Sequence, residues 1–405
     1  MEPNSVYIHI PFCLHRCAYC DFNTYAGKGN LIPEYVDALQ LEIKNLRTVA
    51  GESLHVHTIY FGGGTPSLLP AYSIAKILHT LDVCFDFAPD IEISLEANPG
   101  TLSLTYLQDL FSAGINRLSL GMQSSHSREL IFLERQHNIG DVIESVEWTR
   151  QAGFENLSLD LIFGLPEQTI ETWHESLRRA LELAPEHFSL YALTIEQGTP
   201  MNRWLERGLI ALPNADLAAD MYELACDRLF EAGYLQYEIS NWAKTNFDMQ
   251  IINFSPQSIL NNASQHNLQY WRNLPYFGFG AGAHGFAGGV RISNVITPED
   301  YIQRLAKPTS LPSFPCTPAT ISDQLINQEI EMMETMMMGL RLTSEGISRT
   351  AFQTRFHQKV DDVFGIQIEK LIGWGLLEWV EPDIDTLRLT NRGRLMGNRV
   401  FGEFI

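Results

Sequence analysis

Three cysteines, Cys13, Cys17 and Cys20, stand close together in Tyr7-Ile-His-Ile-Pro-Phe-Cys-Leu-His-Arg-Cys-Ala-Tyr-Cys20, directly after an apolar run. Three thiolates can hold three irons of a cubane iron-sulfur cluster and leave the fourth with an open coordination site, where chemistry can occur. An electron-carrying cluster normally takes four cysteines, and a structural zinc needs a fourth ligand to close its tetrahedron. No fourth cysteine is near: Phe22 stands two residues after Cys20, and the next cysteine is Cys84. Two blander readings stay open on ligand chemistry: a zinc site completed by His9 or His15, and a disulfide with one spare thiol. Cys84, Cys226 and Cys316 stand alone and read as small packing residues.

Other residues with chemical potential fall after further apolar runs. Gly62-Gly63-Gly64-Thr65 lets backbone approach a ligand closely, or forms a plain tight turn. Glu96 and Asp160 end otherwise apolar strands, so each needs a hydroxyl or cationic partner, either a ligand or an internal arginine. Gln123 and Arg135 offer a donor and a fixed positive charge to the same pocket. His266-Asn-Leu-Gln-Tyr-Trp271 sets an imidazole beside aromatic residues, and Tyr270, Trp271, Tyr276 and Phe277 would form a flat apolar wall suited to a porphyrin with an axial histidine.

These residues need a scaffold that gathers them at one rim. Candidate strands are Val6–Ile10, Thr58–Phe61, Ile91–Leu95, Arg117–Leu120, Leu157–Ile162 and Phe188–Leu193, each followed by a turn and a helical period. Six βα units imply parallel strands joined by right-handed crossovers, rich in apolar residues because both faces are covered. The fold class is therefore α/β, a partial (β/α)6 TIM-like barrel, with its chemistry at the C-terminal ends of the strands. The expected organisation is a barrel over 1–245, an inserted polar loop over 246–265, a segment over 266–318 that carries His266 and completes the core, and a C-terminal domain over 319–405. Three helices, Glu329–Leu342, Arg349–Phe356 and Gln367–Gly375, with a terminal hairpin make that last domain winged-helix-like.

Composition narrows the partners. The 405 residues are 45% hydrophobic and 19% charged, a globular balance. No run of about 18 apolar residues is available to span a bilayer. A net charge of −20, from 48 acidic against 28 basic residues, argues against nucleic acid. The N-terminal residues resemble neither a secretory signal nor a transit peptide, so a reducing cytoplasm is expected.

The motifs carry a family resemblance. Cys13-X3-Cys17-X2-Cys20 with Gly62-Gly63-Gly64-Thr65-Pro66 resembles the radical S-adenosylmethionine (SAM) superfamily. Tyr7-Ile-His-Ile-Pro-Phe-Cys, Glu96-Ala-Asn-Pro, Gly121-Met-Gln-Ser, Asp160-Leu-Ile-Phe-Gly-Leu-Pro and Tyr237-Glu-Ile-Ser-Asn resemble the oxygen-independent coproporphyrinogen III dehydrogenase family. The resemblance implies a [4Fe-4S] cluster on Cys13, Cys17 and Cys20 whose fourth iron chelates SAM. The dehydrogenase branch carries a further cysteine after the triplet and an N-terminal extension. This chain has Asp21-Phe22 there and six residues before Tyr7, which favours the heme-chaperone branch.

By resemblance, Tyr7, Gly63 and Glu96 contact the cluster-bound SAM. Gly64, Thr65, Gln123, Arg135, Asp160 and Ala192 contact a second SAM, and His266 is the axial heme ligand. Residues 247–264 lengthen the segment before that histidine. The implied partners are heme or another porphyrin, a heme-accepting respiratory protein, an electron donor such as flavodoxin or ferredoxin, and a peripheral contact with a membrane. If the chain is instead an enzyme, radical oxidative decarboxylation of coproporphyrinogen III is the reaction implied.

Overall fold

The structure is a computed structural model and describes residues 4–51, 53–245, 261–308, 310–380 and 385–405. The chain forms two compact units: Met1–Asp227 with Pro275–Gln324, and Arg228–Leu274 with Leu325–Ile405. The stretch expected to complete the core is thus divided. Pro275–Gln324 joins the first unit, whereas His266 lies in the second. Most of the expected inserted loop, 246–260, lies outside the described residues.

The first unit is built on six parallel strands hydrogen-bonded in chain order: β1 (Asn4–Ile10), β2 (His55–Gly63), β3 (Asp86–Ala97), β4 (Arg117–Gln123), β5 (Asn156–Phe163) and β6 (His187–Ala192). All six expected strands are present, most of them longer than the apolar runs suggested. The glycine-rich stretch after residue 275 supplies three more. β7 (Tyr276–Phe279) pairs parallel with the free side of β1, and β8 (His284–Ala287) and β9 (Val290–Asn294) continue antiparallel.

The strands are rich in apolar residues as expected, and these line one face of the sheet. Residues opposite one another in register share a face, and one face is polar: Tyr60, Ser94, Arg117 and Asn156 form one row, and Glu96, Ser119, Ser158 and His187 the next. The alternate positions, Phe61, Leu95, Leu118, Leu120, Leu159 and Leu190, are buried. The helices cover this apolar face, as with α1 (Ile32–Ala50), which buries Val36, Leu39, Ile43 and Leu46 at helical spacing. The polar face is left to hold hydrogen-bonded side chains and a ligand.

In the second unit, helices Gln328–Gly339, Arg349–Phe356 and Val360–Gly373 pack around a core that includes Met336, Phe352, Phe364 and Leu387. The last helix starts seven residues before its expected beginning. Strands Ile347–Ser348, Thr386–Leu389 and Leu377–Trp379 complete a small antiparallel sheet, so this region has the helices and hairpin of a winged helix.

Candidate cluster and ligand site

The cysteine loop leaves β1 at Ile10 and returns into α1. Its arms are tied by parallel pairing of Phe12–Cys13 with Tyr25–Ala26 and by the amide of Tyr25 donating to Pro11 O at 2.7 Å. Between them the Cys20 amide donates to Cys17 O at 3.1 Å, and the Arg16 guanidinium caps Cys20 O at 3.1 Å. Cys13, Cys17 and Cys20 are free and half-buried. Burial pushes the Cys13 and Cys20 thiols up, and the neighbouring cysteines push them further in the same direction, so the three sulfurs lie within electrostatic reach of one another.

The zinc alternative loses its fourth ligands. His9 is buried, which lowers its pKa and keeps the imidazole neutral. Its Nε2 lies 2.9 Å from Asn23 O, and a carbonyl only accepts, so Nε2 carries the proton. Nδ1 then accepts from the Tyr7 hydroxyl, 3.0 Å away. Both ring nitrogens are used. His15 is held by Glu134 at 3.2 Å. Among the described residues no three His, Cys, Asp or Glu side chains converge on one point that could hold a single metal ion. A cubane spreads its ligands over separate irons, and a half-buried three-thiolate loop fits it.

Beside the loop, Glu96 accepts from Tyr60 Oη at 2.9 Å and from the Gly63 amide at 3.2 Å. Burial pushes its carboxyl up to about 7, and the charge of Asp160 adds to the effect. Among the described residues no cation pairs with Glu96, so an acid on the verge of ionisation is left to accept from the N–H of a bound amine. Tyr7 neighbours it, its phenol raised by burial and then by Glu96. This donor set suits the α-amino group of SAM.

The glycines let the chain pack closely on itself. A Cβ on Gly63, whose φ is +113°, would lie 2.5 Å from the His9 ring; a Cβ on Gly64 would lie 2.7 Å from Phe12 O. Glycine is required for close approach of β1 and its loop, and the Gly64 amide is spent on Ile10 O at 2.8 Å.

Thr65 and Arg135 reach the cluster thiols. Thr65 Oγ1 donates to Cys13 Sγ at 3.6 Å, and Arg135 Nη1 to Cys17 Sγ at 3.7 Å. Asn98 bonds to both Thr65 and Arg135. A cavity of about 100 Å³ is lined by Cys17, Thr65, Asn98, Arg135 and His137. Gln123 adopts a φ of +62°, strained for a residue with a side chain, and packs beside Gly121 and Arg135. Asp160 lies deeper, accepting from Ser119 Oγ at 2.9 and 3.0 Å and from Ser158 Oγ at 3.3 Å, with its carboxyl raised by burial. Ala192 is exposed at the end of β6.

His266 follows the N-cap Ser264 on helix Gln265–Trp271. The imidazole is 1% exposed, with Nε2 2.9 Å from Tyr270 Oη, one turn along. Tyr270 stands edge-on to the imidazole, and Trp271 stacks on Arg341, but Phe277 is packed in the first unit against Phe85 and Phe314. The roles of Asn98, Tyr60 and Ser119 were missed by sequence reasoning, although polar residues at every second strand position were a visible signal.

An α/β sheet with a three-cysteine loop at its C-terminal rim defines a radical SAM module. The Radical SAM superfamily model matches residues 7–180, and the HemN C-terminal domain model matches residues 326–396. The heme chaperone HemW of Bacillus subtilis (strain 168) is 38% identical over 402 residues, covering 99% of each chain. The heme chaperone HemW of Lactococcus lactis is 35% identical over 404 residues, covering 100% of this chain and 98% of the relative. The structure of coproporphyrinogen III oxidase (HemN) from Escherichia coli superposes with a TM-score of 0.80 at 22% identity, covering 99% of this chain and 90% of that one, a likeness of fold. The chain belongs to the heme chaperone HemW family, within the radical SAM superfamily.

Proposed function

We propose that this protein binds heme and delivers it to a respiratory heme protein, using a SAM-ligated [4Fe-4S] cluster to control the transfer. The observation that carries the reading is the pairing of three half-buried thiols with Glu96, an enclosed carboxyl near pH 7 that has no cation among the described residues. Cys13, Cys17 and Cys20 would hold the cluster, which supplies an open iron to chelate the amino-carboxylate end of SAM. Glu96 accepts from an N–H of the iron-bound amine, Tyr60 and the Gly63 amide hold Glu96 in place, and His9 fixes Tyr7 at its side. Gly64, Thr65, Gln123, Arg135, Asp160 and Ala192 surround a second SAM. Electrons come from a flavodoxin- or ferredoxin-like donor, and the protein works in the cytoplasm. No helix among the described residues is long and apolar enough to cross a membrane, so contact with a membrane-bound recipient would be peripheral.

His266 is the proposed axial ligand. Because its Nε2 is held by Tyr270, heme binding through that nitrogen must open this hydrogen bond. Anaerobically reconstituted protein is expected to bind heme with an imidazole-ligated absorption spectrum, lost in His266→Ala. Incubated with coproporphyrinogen III and SAM, it is expected to form no vinyl product. Formation of that product would replace this reading with the oxidative decarboxylase.

A further inference from the structure

Asn98 occupies the turn after β3, in the string Glu96-Ala-Asn98-Pro. Its two amide atoms point to two different partners. Nδ2 donates to Thr65 Oγ1 at 3.1 Å, and Oδ1 accepts from Arg135 Nη2. With one lone pair taken by Asn98 Nδ2, the Thr65 hydroxyl donates its single proton to Cys13 Sγ at 3.6 Å. With Nη2 fixed by Asn98 and by Gly121 O at 3.0 Å, the guanidinium plane of Arg135 aims Nη1 at Cys17 Sγ, 3.7 Å away. A Cβ at position 121 would lie 2.7 Å from Gln123 Nε2 and 2.9 Å from Arg135 Nη2, so glycine lets both side chains lie against the strand. Two of the three ligand sulfurs thus receive donors organised by one side-chain amide.

We propose that Asn98 is a positioning residue that aims the Thr65 hydroxyl and the Arg135 guanidinium at the Cys13 and Cys17 sulfurs, and so raises the reduction potential of the cluster they bind. The contacting Sγ atoms stand in for cluster thiolates. Donors and positive charge at such sulfurs stabilise the extra electron of the reduced form. Arg135 contributes most, as a fixed cation held in a largely enclosed place. Neither Thr65 nor Arg135 would reach its sulfur reproducibly without the amide between them, since a free threonine rotor and a long guanidinium side chain each have several alternative poses. The inference rests on the cluster assignment and adds a role for Thr65 and Arg135 that does not depend on a second SAM.

The test is a redox titration of the anaerobically reconstituted protein without SAM, followed by the paramagnetic resonance signal of the reduced cluster, with iron and sulfide counted per chain. Asn98→Ala and Thr65→Val are each expected to lower the midpoint potential at unchanged cluster content. Thr65→Ser, which keeps the hydroxyl, is expected to stay close to the parent. The double variant Asn98→Ala with Thr65→Val should fall short of the summed single shifts, because Asn98 acts partly through Thr65. If Asn98→Ala fails to retain the cluster, the Thr65→Val and Thr65→Ser pair still decides the direction. Fully loaded variants with the parent potential would overturn the inference, whereas a parent protein that binds no cluster would overturn the functional reading itself.

Discussion

Tyr60 donates its phenolic proton to Glu96 over 2.9 Å, from the end of one parallel strand to the end of the next. The bond orients a carboxyl that burial has pushed up to about 7 and that has no positive partner among the described residues. Neutral donors hold Glu96 in place without neutralising it.

SAM binding should therefore follow the ionisation of Glu96. The N–H groups of an iron-bound amine bond more strongly to the carboxylate than to the neutral acid, so affinity is expected to weaken as pH falls from 7 to 5.5, by up to about tenfold per pH unit. Glu96→Gln should weaken binding at pH 7 by about 2 kcal/mol and flatten that dependence. Calorimetric titration of SAM into the cluster-loaded protein checks both; a Glu96→Gln variant with the same steep pH dependence would show that another group is titrating.

Cys17→Ala is expected to abolish the cluster while the chain still folds. Cys17 is a half-buried residue of a surface loop, away from the apolar face that α1 covers. Iron and sulfide analysis should give only background, with circular dichroism and the thermal transition close to those of the parent without cluster.

Gly63→Ala should be costly. The added methyl would meet His9 Cε1 at 2.5 Å, on a backbone with φ +113° that L residues rarely adopt. Moving the ring breaks its bonds to Tyr7 and Asn23. A loss of about 2 kcal/mol or more in unfolding free energy is expected, together with weaker SAM binding. Urea unfolding and the same calorimetric titration read the two effects.

Glu42, on α1, ties down the segment that follows β7. It accepts from the Gly280 amide at 2.9 Å, Asn294 Nδ2 at 2.7 Å, Tyr301 Oη at 2.5 Å and Thr317 Oγ1 at 2.8 Å, yet complete burial still pushes its carboxyl up to about 6. The folded state holds this proton more tightly than the unfolded chain does, so ionisation opposes folding. The contribution of this group should be most favourable below pH 4.5 and fall by about 2 kcal/mol as pH rises through 6. Glu42→Gln removes that slope and puts an NH2 against two of the donors, which lowers stability overall by about 2 to 4 kcal/mol. Urea unfolding at pH 5 and pH 7 separates the two consequences.

Much of the scaffold was legible before any coordinates. The apolar runs Val6–Ile10, Thr58–Phe61, Ile91–Leu95, Arg117–Leu120, Leu157–Ile162 and Phe188–Leu193 mark the six strands, because a buried strand needs a short run of bulky residues between turns. Helix Arg349–Phe356 lies where its period placed it, and the other two C-terminal helices overlap theirs. The apolar runs did not report which face each strand residue takes. Ser94, Arg117, Ser119, Ser158 and Asp160 alternate with leucines because one face of this sheet is polar. Equally, Tyr276 and Phe277 follow His266 closely in sequence but belong to the other unit, and nothing in residue spacing reports that division.

The sequence by itself determined the ligand chemistry: three thiols within one short loop have few uses, and that loop's place after a strand puts them at the rim. Tertiary structure decided the partners. Which nitrogen of His9 carries the proton, which sulfurs Thr65 and Arg135 face, and that Asn98 lies between them all depend on the register of strands separated by tens of residues. Alternation along a strand fixes the face a side chain occupies, but only packing of the whole sheet fixes the neighbour it meets there.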